Sequence, residues 1–270
     1  MTSSTPATSA TVSARISPEL TPDSLLDLST REIAAIHVED FYPKDMARRV
    51  VKSAMTHEAL GTYRKELASS VGRIHTPHVD TAWDPELTDA YHRQAVHAVH
   101  DVRSMFHPYL SPIDHLRLLL QEFWPAGANL LRLNGRTCFV GALRVFTPGA
   151  SQLLPHNDRL HQETDAPEAR HLTEQITANV YLQVPETGGD LHLWLREPDQ
   201  AETERILAVE GLDPGTIEPP ALTIHPRAGD LIMFSSSMLH AVSPSPTEPR
   251  VGMAAFIGSR GANYPLVFWS

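Results

Sequence analysis

Two histidines, one aspartate and one arginine in the second half of the chain have the types and spacing of a metal site with an anion-binding partner. His156 and Asp158 are separated by one residue, His240 follows in a later apolar run, and Arg250 comes soon after it. Two imidazoles and one carboxylate on one face of an iron(II) ion leave positions open for reactants. A guanidinium nearby can bind a carboxylate through two parallel hydrogen bonds. The set therefore predicts oxygen-activating iron chemistry with an acidic cosubstrate.

A histidine two positions before an acidic residue is weak evidence alone. Random placement of 15 histidines and 32 acidic residues among 270 gives roughly two such triplets, and this sequence has four, beginning at His37, His78, His156 and His161. The first lies before the helical half with no strands predicted around it, and the second lies in a polar loop that would hold ligand side chains poorly. The third follows a predicted strand at 142–147 and precedes two strands joined by a glycine pair. We therefore expect the metal site at His156.

His240 and Arg250 each have an ordinary structural interpretation as well. A histidine inside an apolar run is often a hydrogen-bonded core residue, and an arginine at the start of a strand is often on the surface. Gly252 and Ala254 are small alternate residues on the strand that follows Arg250, which favours a cavity there. Because a buried guanidinium without an anion is costly, the combination favours a metal ligand and a carboxylate-binding arginine.

Helical periodicity in the first half of the chain gives way to strand-like patterns after about residue 130. Apolar residues at helical spacing predict helices over 45–60, 85–106 and 113–123. Alternating or short apolar runs bounded by Gly and Pro predict seven strands. The expected strands are 142–147, 176–184, 190–195, 222–225, 230–234, 239–242 and 251–257.

Many strands after several helices predict a mainly β fold, a two-sheet barrel or jelly roll braced by helices. We expect one domain over 16–270, with helical support over about 30–125 and a β core over about 130–258. The Ser-, Thr-, Ala- and Pro-rich residues 1–15 predict a disordered tail. The polar connections 159–175 and 197–220 are long enough to be lids or binding segments, or else disordered surface insertions.

Composition limits the partners of the chain. The net charge is -10, with no Lys/Arg run that could follow a phosphate backbone, so nucleic acid and anionic membranes are unexpected partners. No apolar stretch approaches the length of a membrane span. The single cysteine, Cys138, excludes an internal disulfide framework and suits a reducing cytoplasm; we interpret it as a small buried residue in preference to a reactive thiol.

Three segments in this order resemble the Fe(II)/2-oxoglutarate-dependent dioxygenase superfamily. They are His156-Asn157-Asp158, the stretch NVYLQVPETGGDL at 179–191, and PRAGDL at 226–231 leading to His240 and Arg250. The resemblance covers about half of the chain, 130–257, and implies a double-stranded β-helix (jelly-roll, cupin-like) core. Chain length and the VPETGGDL stretch are similar to those of bacterial hydroxylases of free or N-substituted amino acids.

The resemblance implies His156, Asp158 and His240 as Fe(II) ligands and Arg250 as the partner of the remote carboxylate of 2-oxoglutarate. Many members carry a hydroxyl residue two positions after this arginine, where this chain has Gly252. A second hydrogen bond to the cosubstrate is therefore expected from elsewhere, and Asn179, Tyr181 and Arg144 are the candidates. Each of these three has a structural interpretation too. Candidates for the substrate pocket are Phe139, Arg159 and Trp194, although large aromatic residues on strands more often belong to a core.

With these cofactors and O2, the resemblance implies hydroxylation of an unactivated C–H bond of a small molecule, an amino acid or a derivative, with release of succinate and CO2. Related halogenases lack the carboxylate ligand, so Asp158 favours hydroxylation over halogenation. Desaturation, cyclisation and hydroxylation of a protein or peptide remain alternatives. A cupin-like isomerase, a 2-oxoglutarate-independent dioxygenase and a non-enzymatic 2-oxoglutarate sensor are the rivals from other classes.

Overall fold

The computed structural model of the protein describes residues 12–63, 71–149, 153–209 and 211–270. Within these ranges the helices are α1 (Pro22–Ser29), α2 (Lys44–Ala54), α3 (Pro85–Phe106), α4 (Pro112–Phe123), α5 (Pro167–Arg170) and α6 (Gln200–Val209). The strands are β1 (Ile16–Ser17), β2 (Ala35–Val38), β3 (Leu60–Thr62), β4 (Val71–Ile74), β5 (Ala128–Leu130), β6 (Arg132–Leu133), β7 (Arg136–Thr137), β8 (Ala142–Phe146), β9 (Leu153–His156), β10 (Glu174–Gln183), β11 (Leu191–Leu193), β12 (Leu222–Ile224), β13 (Leu231–Ser235), β14 (His240–Val242), β15 (Arg250–Ser259) and β16 (Leu266–Trp269).

Two sheets face each other. The large sheet runs β1-β2-β13-β10-β15-β8-β4-β3, with β16 pairing to β15 and β5, and the small sheet runs β12-β11-β14-β9. Tyr181 and Phe234 from the large sheet share an apolar cluster with Leu191 and Ile224 from the small one. This is the double-stranded β-helix arrangement expected from the sequence.

The outer face of the large sheet packs against the helices. Alternate residues of β10 and β15, such as Val180 and Met253, join helical residues such as Leu116 and Leu120 in the main hydrophobic core. Since side chains alternate across a strand, the other residues of β10 and β15 point toward the small sheet. The helical layer thus fixes the sheet, and the opposite face of that sheet is available for a site.

Each of the seven predicted strands is present, and the helices predicted at 85–106 and 113–123 are confirmed within one residue. The predicted helix at 45–60 is too long, because α2 ends at Ala54 and the chain turns into β3. The view that the first half is mainly helical was incomplete, since β1 to β4 extend the large sheet. The predicted loop at 197–220 contains α6. The segment 159–175 contains α5 and the first two residues of β10.

Residues 1–11 of the predicted tail lie outside the described residues, and 12–15 have no regular structure. Described helical and strand residues share one hydrophobic core, although the single-domain assignment stays a prediction. Cys138 is buried, as expected, and burial raises the pKa of its thiol to about 12. Within the described ranges, no helix combines the length and apolar character needed to cross a bilayer.

Gly188 shapes the connection between β10 and β11, which belong to different sheets. Its φ is +78°, and a Cβ atom there would lie 1.9 Å from the backbone oxygen of Pro244. Gly135 has nearly the same φ, +76°, but nothing lies within 4 Å of a Cβ at that position. A substitution at Gly135 would therefore cause backbone strain alone, whereas one at Gly188 would cause backbone strain and a steric clash.

We expect Gly188→Ala to destabilise the fold more than Gly135→Ala. The left-handed conformation costs a non-glycine residue about 1–2 kcal/mol at either position, and overpacking at Gly188 adds about 1–3 kcal/mol. Urea unfolding of both variants measures the two differences in free energy. Equal losses would contradict the close packing of Gly188 against Pro244.

Candidate metal centre and cosubstrate cavity

The two histidines of the predicted site are direct partners across the small sheet. His156 ends β9 and His240 begins β14, and their Cα atoms are paired in the antiparallel register. Their ring centroids are 4.3 Å apart. Pairing of these two strands thus brings together side chains that are far apart in the sequence.

Asp158, two residues after the end of β9, completes the cluster. Its backbone N–H donates to the carbonyl oxygen of Ser236 at 2.8 Å, which fixes the chain where it leaves the strand. One carboxylate oxygen lies 3.4 Å from Nε2 of His240, and the other lies 3.9 Å from Nε2 of His156. The three potential ligand atoms lie within 4.8 Å of one another, which is compatible with one shared ion.

Both imidazoles are held by the nitrogen that faces away from the carboxylate. Nδ1 of His156 is 2.6 Å from the carbonyl oxygen of Leu154, and Nδ1 of His240 is 3.0 Å from that of Met238. A carbonyl oxygen only accepts, so each Nδ1 carries the proton and donates. The Nε2 lone pairs are therefore left for a metal, in the way that backbone carbonyls orient metal-binding histidines.

The protonation states also suit metal binding at neutral pH. Burial, together with the charge of the nearby His240, lowers the pKa of His156 to about 4. Burial alone would raise the pKa of Asp158, but the hydrogen bond from His240 and both imidazole charges outweigh it and hold the value at about 2. Near pH 7, His156 is therefore neutral and Asp158 is ionised, as metal ligands must be.

Arg250 lies at the start of β15 with its side chain in the same cavity as the cluster. It is 8% exposed, and its guanidinium carbon stands 4.0 Å from the ring centroid of Phe146. Its buried Nη1 has no hydrogen-bond partner, and no described acidic residue forms an ion pair with it. Burial lowers the pKa of Arg250 to about 10, while Tyr181 opposes that shift. A buried cation without a partner is costly, so this position fits an anionic ligand.

A row of polar residues on β10 lines the cavity beside Arg250. Asn179 and Tyr181 both lie on the inner face of β10. Thr177, one alternate position earlier, also lines the cavity, and its buried hydroxyl has no partner. The period-two pattern that pointed to Asn179 and Tyr181 also applies to Thr177, which the sequence reading missed. Arg144, on β8, reaches the same cavity.

The three residues expected in the substrate pocket lie elsewhere. Phe139 is in the core, with its ring 5.7 Å from that of His75. Trp194 packs in a separate apolar cluster and donates through Nε1 to the backbone oxygen of Glu218. Arg159 forms an ion pair with Glu197. None of the three lines the cavity around the triad, because core packing or ion pairing holds each side chain in another direction.

The His-x-acid triplets that begin at His37 and His78 serve the fold. His37 is on β2 and contacts Asp230 at 2.8 Å, so the expectation of no strand around it was wrong. His78 is buried, and its Nδ1 lies 2.7 Å from Oε2 of Glu163. Its side chain is well held, contrary to the expectation of a loose loop. Among the described residues, only the His156 cluster groups three potential ligands closely enough for a metal.

Comparison with known proteins agrees with this geometry. Residues 141–258 match the family model of the 2OG-Fe(II) oxygenase superfamily. The chain is 30% identical over 163 residues to an L-gamma-glutamyl-L-propargylglycine hydroxylase of Streptantibioticus cattleyicolor, covering 58% of this chain and 59% of that protein. It is 29% identical over 147 residues to an L-isoleucine 3(1)-dioxygenase of Pantoea ananatis, covering 51% and 48%. The matches thus span about half to three-fifths of these relatives.

A solved structure shares the fold over nearly the whole chain. An N-substituted L-amino acid dioxygenase from Burkholderia ambifaria aligns with a TM-score of 0.59 at 15% identity, covering 92% of this chain and 91% of that one. The matched segment contains the whole triad and Arg250. By that segment and its double-stranded β-helix, the chain is similar to the 2OG-Fe(II) oxygenase superfamily.

Proposed function

We propose that the protein is an Fe(II)- and 2-oxoglutarate-dependent hydroxylase of a small molecule, an amino acid or an amino-acid derivative. The observation that carries this proposal is the close set of two imidazole Nε2 atoms and one carboxylate beside a buried, unpaired arginine. The activities named for the two curated relatives, one acting on a γ-glutamyl amino acid and one on L-isoleucine, support the substrate class.

The residues fit an iron(II) ion. His156 and His240 would supply neutral imidazole nitrogens, and Asp158 would supply one carboxylate oxygen. Two imidazoles and a carboxylate are the ligand set of non-haem Fe(II) oxygenases, which leaves other positions for cosubstrate and O2. The carbonyl oxygens behind both rings hold the donor atoms in place, as a preorganised site requires.

The residues also fit 2-oxoglutarate. Arg250 would bind the carboxylate remote from the metal, and the buried guanidinium would then have the anionic partner that the fold does not provide. Tyr181 and Asn179, which line the cavity from β10, would take the place of the hydroxyl that Gly252 lacks. Phe146 stacks on the guanidinium and helps to keep water from the ion pair.

When bound, the iron and 2-oxoglutarate supply the oxidising power: one O2 converts R–H to R–OH while 2-oxoglutarate becomes succinate and CO2. The protein contributes position and exclusion of water. Leu153, Leu191 and Val242 give the cavity apolar walls around the triad. Asp158 occupies the ligand position that related halogenases leave to chloride, which supports hydroxyl transfer over halogenation.

We further propose a cytoplasmic enzyme that acts without nucleic acid or membrane partners. A buried free Cys138 and the requirement for reduced iron suit a reducing compartment. The acidic net charge of -10 disfavours polyanionic partners.

A succinate-formation screen tests the proposed function. Anaerobically loaded Fe(II) protein is mixed with 2-oxoglutarate, O2 and amino acids, N-acyl amino acids or dipeptides. We expect at least one compound to stimulate succinate formation and to gain one oxygen atom by mass spectrometry. Loss of two hydrogens instead would indicate desaturation or cyclisation, and no succinate with any compound would favour the sensor or isomerase classes.

A further inference from the structure

A second arginine in the cavity remains unexplained by the iron and cosubstrate. Arg144 lies in the middle of β8 and lines the cavity together with His156 and Asp158. Its register partner on β15 is Gly252, two residues after Arg250. Register partners on neighbouring strands point to the same face, and neighbouring strands are roughly 4.8 Å apart. The two arginines therefore face one cavity from adjacent strands.

The charge of Arg144 has no acidic partner within the described fold. Its Nε is buried without a hydrogen-bond partner, and no described acidic residue forms an ion pair with it. Arg73, its register partner on β4, differs. Arg73 is 2.6 Å from Asp80 and also donates to the backbone oxygen of His75. Arg73 therefore forms an ion pair within the described fold, and Arg144 does not.

The charges of the loaded site leave Arg144 uncompensated. Iron(II) at +2, Asp158 at −1, 2-oxoglutarate at −2 and the two arginines at +1 each would leave the described residues of the loaded site with one net positive charge. An uncompensated charge in a buried cavity is costly. The described lining of the cavity contains no carboxylate other than Asp158. A further anion is needed, and the organic substrate is the component still to be added.

We infer that Arg144 binds a carboxylate of the organic substrate, so that the enzyme accepts free acids and rejects their carboxamides. The inference rests on the proposed function, because it assumes that Arg250 and the metal hold the cosubstrate. It places the substrate carboxylate at β8, one strand away from the remote carboxylate of 2-oxoglutarate.

Calorimetric binding to protein loaded with Ni(II) and 2-oxoglutarate tests this assignment without turnover. The probes are N-acetyl-L-amino acids and free L-amino acids, each as the acid and as its primary carboxamide. We expect at least one acid to bind about 100-fold more tightly than its amide, the loss typical when one member of a buried charge pair is removed. Arg144→Gln should abolish that preference, and Arg144→Lys should retain part of it.

The variants also separate a substrate role from a cosubstrate role. We expect Arg144→Gln to leave the Kd for 2-oxoglutarate within about threefold of the original, since Arg250 supplies that ion pair. The control Arg48→Gln removes an arginine that is 76% exposed on α2 and should change neither affinity. Circular dichroism of each variant checks folding.

Three results would overturn the assignment. In the first, no acid binds better than its amide to the unmodified protein. In the second, Arg144→Gln keeps the preference for acids. In the third, Arg144→Gln weakens the binding of 2-oxoglutarate as much as the binding of the acid, which would assign Arg144 to the cosubstrate. Failure of the metal-loaded protein to bind 2-oxoglutarate is a different outcome, because it would contradict the proposed function itself.

Discussion

Replacement of Asp158 by alanine is expected to lower Fe(II) affinity by at least about 100-fold, the upper end of the loss caused by changing a residue that merely supports a ligand. Asp158 is the single anion of the triad, and its two oxygens face Nε2 of both histidines. Without it, two neutral imidazoles would hold a divalent cation with no charge neutralisation. Equilibrium dialysis against a calibrated chelator under anaerobic conditions measures the affinity.

The matched control for that variant is Asp165→Ala. Asp165 lies in the segment after the triad, is 73% exposed and pairs with Arg170 at the surface. The control should bind Fe(II) like the unmodified protein, because its carboxylate is far more solvated than that of Asp158. If Asp158→Ala kept its Fe(II) affinity within about threefold, a difference of less than 1 kcal/mol, the aspartate would not be a ligand.

Replacement of Arg250 by methionine is expected to raise the Kd for 2-oxoglutarate by about 100-fold, since loss of one member of a buried charge pair costs about 2–5 kcal/mol. Fe(II) affinity should be unchanged, because the guanidinium is not a ligand. Titration of 2-oxoglutarate into the Ni(II)-loaded protein measures the Kd. An unchanged value would assign the remote carboxylate to another residue, with Arg144 the first candidate.

The same variant should not destabilise the ligand-free fold. Arg250 is buried with an unpaired Nη1, and replacing a buried charge by an apolar side chain of similar volume is often neutral or stabilising. Arg250→Met should therefore have an equal or higher unfolding midpoint without 2-oxoglutarate, and should lose the stabilisation that the cosubstrate gives. Arg227→Gln, which changes an arginine with 73% side-chain exposure, is the control for both measurements.

The β core was predictable because a hydrophobic pattern runs through most of the length of its main strands. β10 and β15 are long apolar runs in which alternate residues face the helices and the cavity. β2 and β4 were missed because they have four residues each and include His37 or Arg73. Their strand structure comes from pairing with β13 and β8, and such pairing is a tertiary effect that local pattern does not encode.

The identity of the potential metal ligands was predictable from the sequence, but the strand pairing that brings them together was not. Residue type and order picked His156, Asp158 and His240, and the structure brings their ligand atoms within 4.8 Å. That His156 and His240 are register partners depends on the pairing of β9 with β14, which no local signal fixes.

The aromatic residues expected in the substrate pocket do not line the cavity around the triad, for a related reason. A large side chain on or near a strand packs where its face points, and Phe139 and Trp194 point into apolar clusters. Arg159 is held by Glu197 in a distant segment. Partners so far apart in sequence cannot be deduced from either segment alone.

The most direct test of the central claim is an anaerobic titration of the protein with Fe(II) and 2-oxoglutarate, followed by visible absorption. A chelate of 2-oxoglutarate on bound iron has a weak charge-transfer band that neither component shows alone. We expect this band at one iron and one 2-oxoglutarate per chain, and its loss in both His156→Ala and Asp158→Ala. Absence of the band in the unmodified protein, or its persistence in both variants, would contradict the assignment of the triad as an iron site that binds 2-oxoglutarate.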